Sequence, residues 1–375
     1  MTESPYRFGF VMDQQVGLKT QSLNFEAVLR EEYPQVEAVF VPVQYASVAA
    51  NPLTRALEKA LPGSVRGTLA GVREIKSAFA GATFDAVLWA TWAAKSAIEC
   101  VRAAPAFLLM DMTPTQMEAL GAHYGYSPGR ARFLGGWKKQ ATDRLYGEAT
   151  HLFGWNEWVA QSLRGDYGVP TGKVSAVSPG TDTTRFCPDT KARKYDGVTR
   201  LLFVGGDFVR KGGDLLLRYL RERAPGSPPV ELHCVTRDTV TDAPANVHFH
   251  RGIVNNSPEL ARLYQQSDLF VLPTRADCYS LVALEAMASG LPVVITNMGG
   301  IGDIVATGET GVLLPEGDNY TELAAALDEL IGDAAKRERM GRAGRDRAVS
   351  RFNCRAGVRT VVDAMLAAAE KGRAT

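Results

Sequence analysis

The sequence predicts an α/β protein with two domains, each built on a parallel sheet. Three observations predict it. Apolar runs of strand length alternate with helical patterns of about ten to fifteen residues, the runs fall into two complete sets, and a stretch of turn residues and charges separates the sets. The first set reads as strands at Phe8 to Met12, Ala38 to Val41, Ala86 to Trp89, Phe107 to Met110 and His151 to Phe153. The second reads as Arg200 to Val204, Val230 to Val235, Val247 to His250, Leu269 to Leu272, Val293 to Thr296 and Gly311 to Leu314. Periodicity lapses between Ser178-Pro179-Gly180 and the polar stretch Pro188 to Gly197, which divides the chain into 1–178, 179–352 and a last segment, 353–375, with a helix over Arg355 to Lys371.

Composition narrows the function classes. The 375 residues suffice for two or three domains with ample core, and 46% apolar content excludes a disordered chain. A net charge of +1 gives no basic excess to neutralise a nucleic-acid backbone. Five scattered cysteines without a C-x-x-C pair fit reduced thiols in a cytosol. The start MTESPYRFGF lacks a cationic region followed by a long apolar stretch, and no window approaches the roughly 18 apolar residues of a membrane span. The expectation is a soluble cytoplasmic protein, with peripheral contact at the inner face of a membrane left open.

The segment Asp268 to Pro292, DLFVLPTRADCYSLVALEAMASGLP, carries the most chemistry. It reads as a strand, a loop with Asp277, and a helix from Leu281 to Ser289 that stops at Gly290. Asp277 lies at the mouth of that helix and Glu285 about one turn inside, flanking the free backbone N–H groups of Tyr279, Ser280 and Leu281. A helix end of this kind binds anions. The carboxylates would repel a phosphate, so they are suited to hydroxyls on either side of it, and a phosphate flanked by hydroxyls describes a nucleotide sugar.

The residues Asp277-Cys-Tyr-Ser-Leu-Val-Ala-Leu-Glu285 resemble the E-x7-E element of the retaining glycosyltransferases of family four, with Asp in place of the first Glu. Leu201-Leu-Phe-Val-Gly-Gly-Asp-Phe-Val-Arg-Lys-Gly-Gly-Asp214 is similar to that family's strand, glycine turn and Arg/Lys pair, and Lys173-Val-Ser-Ala-Val-Ser-Pro-Gly-Thr-Asp182 to its hinge. The resemblance covers Ala149 to Val349 well and the first 148 residues loosely. It implies the GT-B fold: two Rossmann-like domains whose parallel sheets face a central cleft, the first binding acceptor, the second binding the nucleotide sugar, and the last helix packing back on the first.

Within that frame Glu285 is expected to bind the ribose hydroxyls, Lys211 and the amides of Ser280 and Leu281 the diphosphate, and Asp277 the hydroxyls of the transferred sugar. Lys211 matches the family's diphosphate lysine. The family's arginine after the glycine of this strand is replaced by Gly206, so Arg210 or the helix end has to compensate. Thr236, Arg237 and Val254 stand in turns that contact base and ribose in the family. In the first domain Gly17, in the loop Asp13 to Thr20, faces the cleft by analogy, with a simple connecting turn as its other reading, and Asp111 stands near the position where many relatives carry a histidine that contacts the donor sugar, a catalytic candidate as its acidic substitute, with helix capping as its other reading. Trp92 near a strand end is a candidate for stacking on a sugar ring. His248 and His250 alternate on one strand, a structural pair in the absence of a third ligand.

The expected activity is metal-independent transfer of a sugar, with hexosyl transfer the first expectation, from a nucleoside diphosphate sugar to a saccharide, lipid-linked, protein or small-molecule hydroxyl. The donor is a co-substrate and no cofactor is needed. No D-x-D sequence, the cation-holding motif of the other common transferase architecture, is present. A GT-B epimerase or phosphorylase and a catalytically silent sugar-nucleotide-binding paralogue are the alternatives. A nicotinamide dehydrogenase would need G-x-G-x-x-G after the first strand, where only Gly17 is found.

Overall fold

The computed structural model describes residues 5–14, 16–46, 63–121, 135–189, 191–192 and 196–374. The first strands in chain order are β1 (Tyr6–Asp13), β2 (Val36–Val43), β3 (Ala86–Ala90), β4 (Ala106–Met110), β5 (His151–Gly154) and β6 (Val174–Ala176). The second group is β7 (Thr199–Val204), β8 (Val230–Val235), β9 (Val247–His250), β10 (Leu269–Leu272), β11 (Val293–Thr296) and β12 (Gly311–Leu314). Among the described residues these form two six-stranded sheets, ordered β2-β1-β3-β4-β5-β6 and β12-β11-β10-β7-β8-β9. Their ladders are parallel.

Each strand read from the sequence is present, its ends within two residues. The reason is burial: every residue of β3, β10 and β11 is buried, and parallel sheets covered by helices on both faces require such unbroken apolar runs. One strand was not expected. Val174–Ala176, inside the segment read as a hinge, pairs with β5 as a sixth strand. Its three residues are too few for periodicity to show. A second correction concerns Gly17, read as part of a loop: the helix after β1 runs Val16–Glu32, so Gly17 is its second residue.

Two compact units result, and both are Rossmann-like. The first takes the described residues through Gln116, those from 135 to Val177 and those from Val358 onward; the second takes the rest. The last helix, Cys354–Ala374, buries Val358, Val361, Val362 and Met365. In the first unit Tyr33 Oη donates to Asp363 at 2.9 Å, Arg359 pairs with Glu32 at 2.5 Å, and Arg373 lies over the Tyr6 ring at 4.1 Å. No helix among the described residues is long and apolar enough to cross a membrane.

Sheet order fixes where each unit can receive a ligand. In open α/β sheets ligands bind beyond the carboxyl ends of the strands, at the point where strand order reverses. That point falls between β1 and β3 in the first sheet and between β7 and β10 in the second.

Candidate functional site

The second switch point is formed by two loops. After β7 the chain turns through Gly205 to Gly212 into the helix Gly213–Glu222. Gly212 has φ +81, and a Cβ there would stand 2.0 Å from the Pro273 carbonyl oxygen, so only glycine lets this turn lie against the loop leaving β10. Polar contacts lace the two together. The Arg210 guanidinium donates to the Ala276 carbonyl at 2.9 Å and pairs with Asp207 at 3.3 Å, while the Arg275 amide donates to the Arg210 carbonyl at 2.8 Å. Arg275 also forks onto both carboxylate oxygens of Asp214, at 2.6 and 2.8 Å. So braced, Lys211 Nζ meets Asp277 Oδ2 at 2.5 Å, with both side chains largely buried.

Beyond Asp277 the helix Leu281–Ala288 begins. Its first amides have no intrahelical partner. Ser280, at the cap, has φ −110 and ψ 93, and its side chain makes no capping bond. Its hydroxyl is buried and unpaired among the described residues, an arrangement that native interiors avoid unless something else supplies the partner. Tyr279 is turned inward, its hydroxyl 2.8 Å from that of Ser178. Gly299, with φ +55, lets the loop after β11 press on the carbonyls of Asp277 and Cys278, where a Cβ would come within 2.7 Å.

Glu285 is buried at 4% exposure. Burial drives its carboxyl pKa up to about 7, against the opposing pull of one hydrogen bond, from Tyr264 Oη at 2.9 Å. Tyr264 comes from the helix Pro258–Gln265 and is fully buried. Nothing in the sequence singles it out, because its helical spacing is that of an ordinary core residue.

Arg237 covers Gly206. A Cβ on Gly206 would be 2.9 Å from Arg237 Nε, so the guanidinium fills the space a side chain at 206 would enter. β8 pairs with β7 and is followed directly by Thr236, which is buried, and Val254 in the turn after β9 is 63% exposed. The structure thus gathers Arg210, Lys211, Thr236, Arg237, Asp277, Tyr279, Ser280, Leu281 and Glu285 at the carboxyl ends of neighbouring strands, or in the helix that follows one of them.

Asp111 and Gly17 belong to the first unit. Asp111 lines a cavity there, at the β1/β3 switch point, together with Asp13, Thr91, Trp92, Lys95 and Tyr146. Asp13, the last residue of β1 and marked by no motif, is 3% exposed and takes a 2.8 Å hydrogen bond from Tyr45 Oη. Burial raises its carboxyl pKa to about 6. Lys95 Nζ stands 5.7 Å from the centre of the Trp92 ring, which is therefore partly occupied by a cation.

Residues 198–333 match the family described as Glycosyl transferases group 1, and that span holds both loops and the helix of the site. Over that span the chain is similar to the group 1 glycosyltransferases. Over 336 residues it is 28% identical to a D-inositol 3-phosphate glycosyltransferase of Pseudarthrobacter chlorophenolicus, covering 84% of this chain and 78% of the relative. Against other curated D-inositol 3-phosphate glycosyltransferases the match spans about half of their length. In fold the chain is similar to a sucrose-phosphate synthase from Thermosynechococcus elongatus, with TM-score 0.74, 18% identity, and coverage of 96% of this chain and 98% of that one. It is also similar to Anabaena HepE, solved in complex with UDP and glucose, with TM-score 0.68, 16% identity, and coverage of 96% and 100%. These likenesses over both units establish the GT-B fold.

Proposed function

We propose that this chain transfers a sugar from a nucleoside diphosphate sugar to an acceptor hydroxyl, without a metal ion and with retention at the anomeric carbon. The observation that carries the reading is the Lys211–Asp277 pair at the switch point, beside a helix start whose cap hydroxyl is unpaired. Lys211 and the amides of Ser280 and Leu281 hold the diphosphate, Asp277 takes hydroxyls of the sugar, and Glu285 takes those of the ribose. Arg237 supplies the second cation in place of a residue at 206, with Thr236 and Val254 beside the base.

In the transfer the bond from the anomeric carbon to the phosphate oxygen breaks and its electron pair stays with the diphosphate. The acceptor oxygen bonds to that carbon on the same face, and the acceptor proton passes to the departing phosphate oxygen. Negative charge grows on the diphosphate as this proceeds, and a fixed cation and oriented amides stabilise it more in the transition state than in the ground state. That is the service a divalent cation performs in other transferases.

The UDP and glucose bound to HepE support a uridine donor, and the acceptor of the curated relatives makes D-inositol 3-phosphate the first acceptor to try. The test is a thermal-shift screen of nucleotide sugars followed by turnover of radiolabelled donor. A ligand at about 100 times its dissociation constant stabilises by roughly 2.7 kcal/mol. A donor that stabilises the protein yet is neither transferred nor slowly hydrolysed marks a silent binding protein and overturns the enzymatic reading.

A further inference from the structure

At one margin of the second sheet, β8 and the edge strand β9 carry a cluster that sugar transfer does not use. The strands pair in parallel, with His233 opposite His248 and Val235 opposite His250. Strand alternation therefore puts Glu231, His233, His248 and His250 on one face, while Val230, Leu232 and Cys234 point into the core. The His233 ring lies 5.0 Å from that of His248 and 5.2 Å from that of His250, centre to centre.

The polar atoms of this cluster are incompletely satisfied. His233 Nδ1 and His250 Nε2 share a hydrogen bond of 3.0 Å. The other nitrogen, His233 Nε2, is buried without a hydrogen-bond partner among the described residues, and stands 3.6 Å from Glu231 Oε2, too far for a hydrogen bond. Among the described residues, Glu231, His233 and His248 each bring one ligand atom to within 4.8 Å of the other two.

We propose that Glu231, His233 and His248 form a binding site for one divalent transition-metal ion of the zinc type. Zinc bonds nitrogen and carboxylate oxygen at about 2.0 to 2.2 Å, and two such bonds at a tetrahedral to trigonal angle hold their ligand atoms about 3.5 Å apart. The 3.6 Å between His233 Nε2 and Glu231 Oε2 is that separation. His248, exposed at the surface, closes the set by turning its ring, and water completes the shell as in other His2Glu sites.

The surrounding groups complete the arrangement. Donation of the Nδ1 proton of His233 to His250 leaves the lone pair of Nε2 facing the ion, the partnership by which metal-binding imidazoles are oriented. Arg200 Nε stands 3.2 Å from Glu231 and is itself held by both oxygens of Asp196, at 3.0 and 2.6 Å, so it steadies the carboxylate from behind. Two imidazoles with one carboxylate select zinc, copper or nickel over magnesium and calcium. A bound ion ties the edge strand to its neighbour.

The inference does not rest on the transferase reading and is tested apart from it. Chelator-stripped full-length protein is titrated with zinc chloride by calorimetry, with melting temperature followed in parallel. We expect one zinc per chain, micromolar or tighter affinity, and a melting temperature raised by zinc and not by magnesium. His248→Ala, at an exposed position that leaves the core intact, and Glu231→Gln each weaken binding at least about tenfold, and His250→Ala does so by about 10 to 100-fold. Cobalt substituted for zinc gives visible bands of a nitrogen and oxygen shell, without the thiolate charge transfer that any of the five cysteines would produce. Absence of saturable zinc binding, affinity unchanged in both His233→Ala and His248→Ala, or a thiolate band on cobalt binding overturns the proposal.

Discussion

Lys211 and Asp277 are joined at 2.5 Å across the carboxyl ends of two neighbouring strands. Within the chain itself the cation suited to a diphosphate is thus already neutralised by the acid suited to a sugar. On the proposed reading, donor binding opens this pair or shares it, and removing the acid releases the lysine from it. Asp277→Ala is therefore expected to hold free nucleoside diphosphate as tightly as the parent or more so, while kcat/KM for transfer falls by about 10 to 100-fold, or roughly 1.4 to 2.8 kcal/mol. Measuring both on one preparation decides the matter: weakened diphosphate binding with normal turnover removes Asp277 from the sugar site.

Lys211→Ala leaves the buried Asp277 carboxylate without its partner, a change that costs about 3 to 5 kcal/mol in buried pairs. A fall in melting temperature is expected together with a kcat lowered by about 100 to 1000-fold, the usual effect of removing one group that meets developing charge. Lys211→Arg restores stability ahead of rate. A kcat unchanged in the alanine variant, assayed well below its melting temperature, places the diphosphate elsewhere.

Glu285 gives the chain a pH dependence of defined sign. Its carboxyl titrates near 4.5 in an unfolded chain and near 7 in the fold, so between those values the folded protein holds a proton the unfolded one has released. Stability from this group is therefore lost as pH rises through the window, by about 1.4 kcal/mol per unit at most, and is level above it. Glu285→Gln should gain on the parent from pH 5 to pH 7 in denaturant melts. Asp13 acts in the same direction, which is why the difference between the two proteins is the quantity to measure.

With ribose hydroxyls donating to the ionised Glu285 carboxylate, as proposed, donor binding should release a proton and weaken below about pH 7, by up to tenfold per unit. Glu285→Gln loses that slope and binds about 10 to 100-fold more weakly, the worth of one charge-assisted hydrogen bond. Calorimetry in buffers of different ionisation enthalpy reads the proton directly. Proton uptake, or the same slope in the variant, dismisses the ribose role.

Turnover should persist in excess EDTA, because Lys211 and the helix amides supply the charge a metal would bring. Chelation then lowers only the melting temperature, through the cluster on β8 and β9. Activity lost in EDTA and regained with magnesium or manganese contradicts the mechanism.

Arg237→Ala should raise donor KM, and Gly206→Arg introduced into that variant should recover part of the loss, since one guanidinium then stands where the other stood. Failure of the second substitution to help at all, in a protein of parental stability, separates the two positions.

Much of the second unit was legible in the sequence because its central strands are buried on both faces and read as unbroken apolar runs. That Lys211 and Asp277 lie beyond the carboxyl ends of neighbouring strands, with Glu285 in the helix that follows, was legible because each comes a short way after such a run. What escaped depends on pairing between distant segments. That Arg237 covers Gly206 follows from the register of β8 on β7, and that Tyr264 holds Glu285 follows from helix packing; neither leaves a local pattern. That His233 and Glu231 stand beside His248 and His250 follows from the same kind of register, β9 on β8. β6 escaped because three residues carry no period.

The contact of Gly212 with the Pro273 carbonyl has a consequence for how such a protein can diverge. Because the lysine-bearing turn and the acid-bearing loop are locked by a position that tolerates no side chain, they must be inherited or lost together. Arg237 and Val254 sit in exposed turns under no such constraint. On the proposed reading, drift or a laboratory library can therefore rewrite recognition at the base end of the donor while the grip on the diphosphate stays fixed.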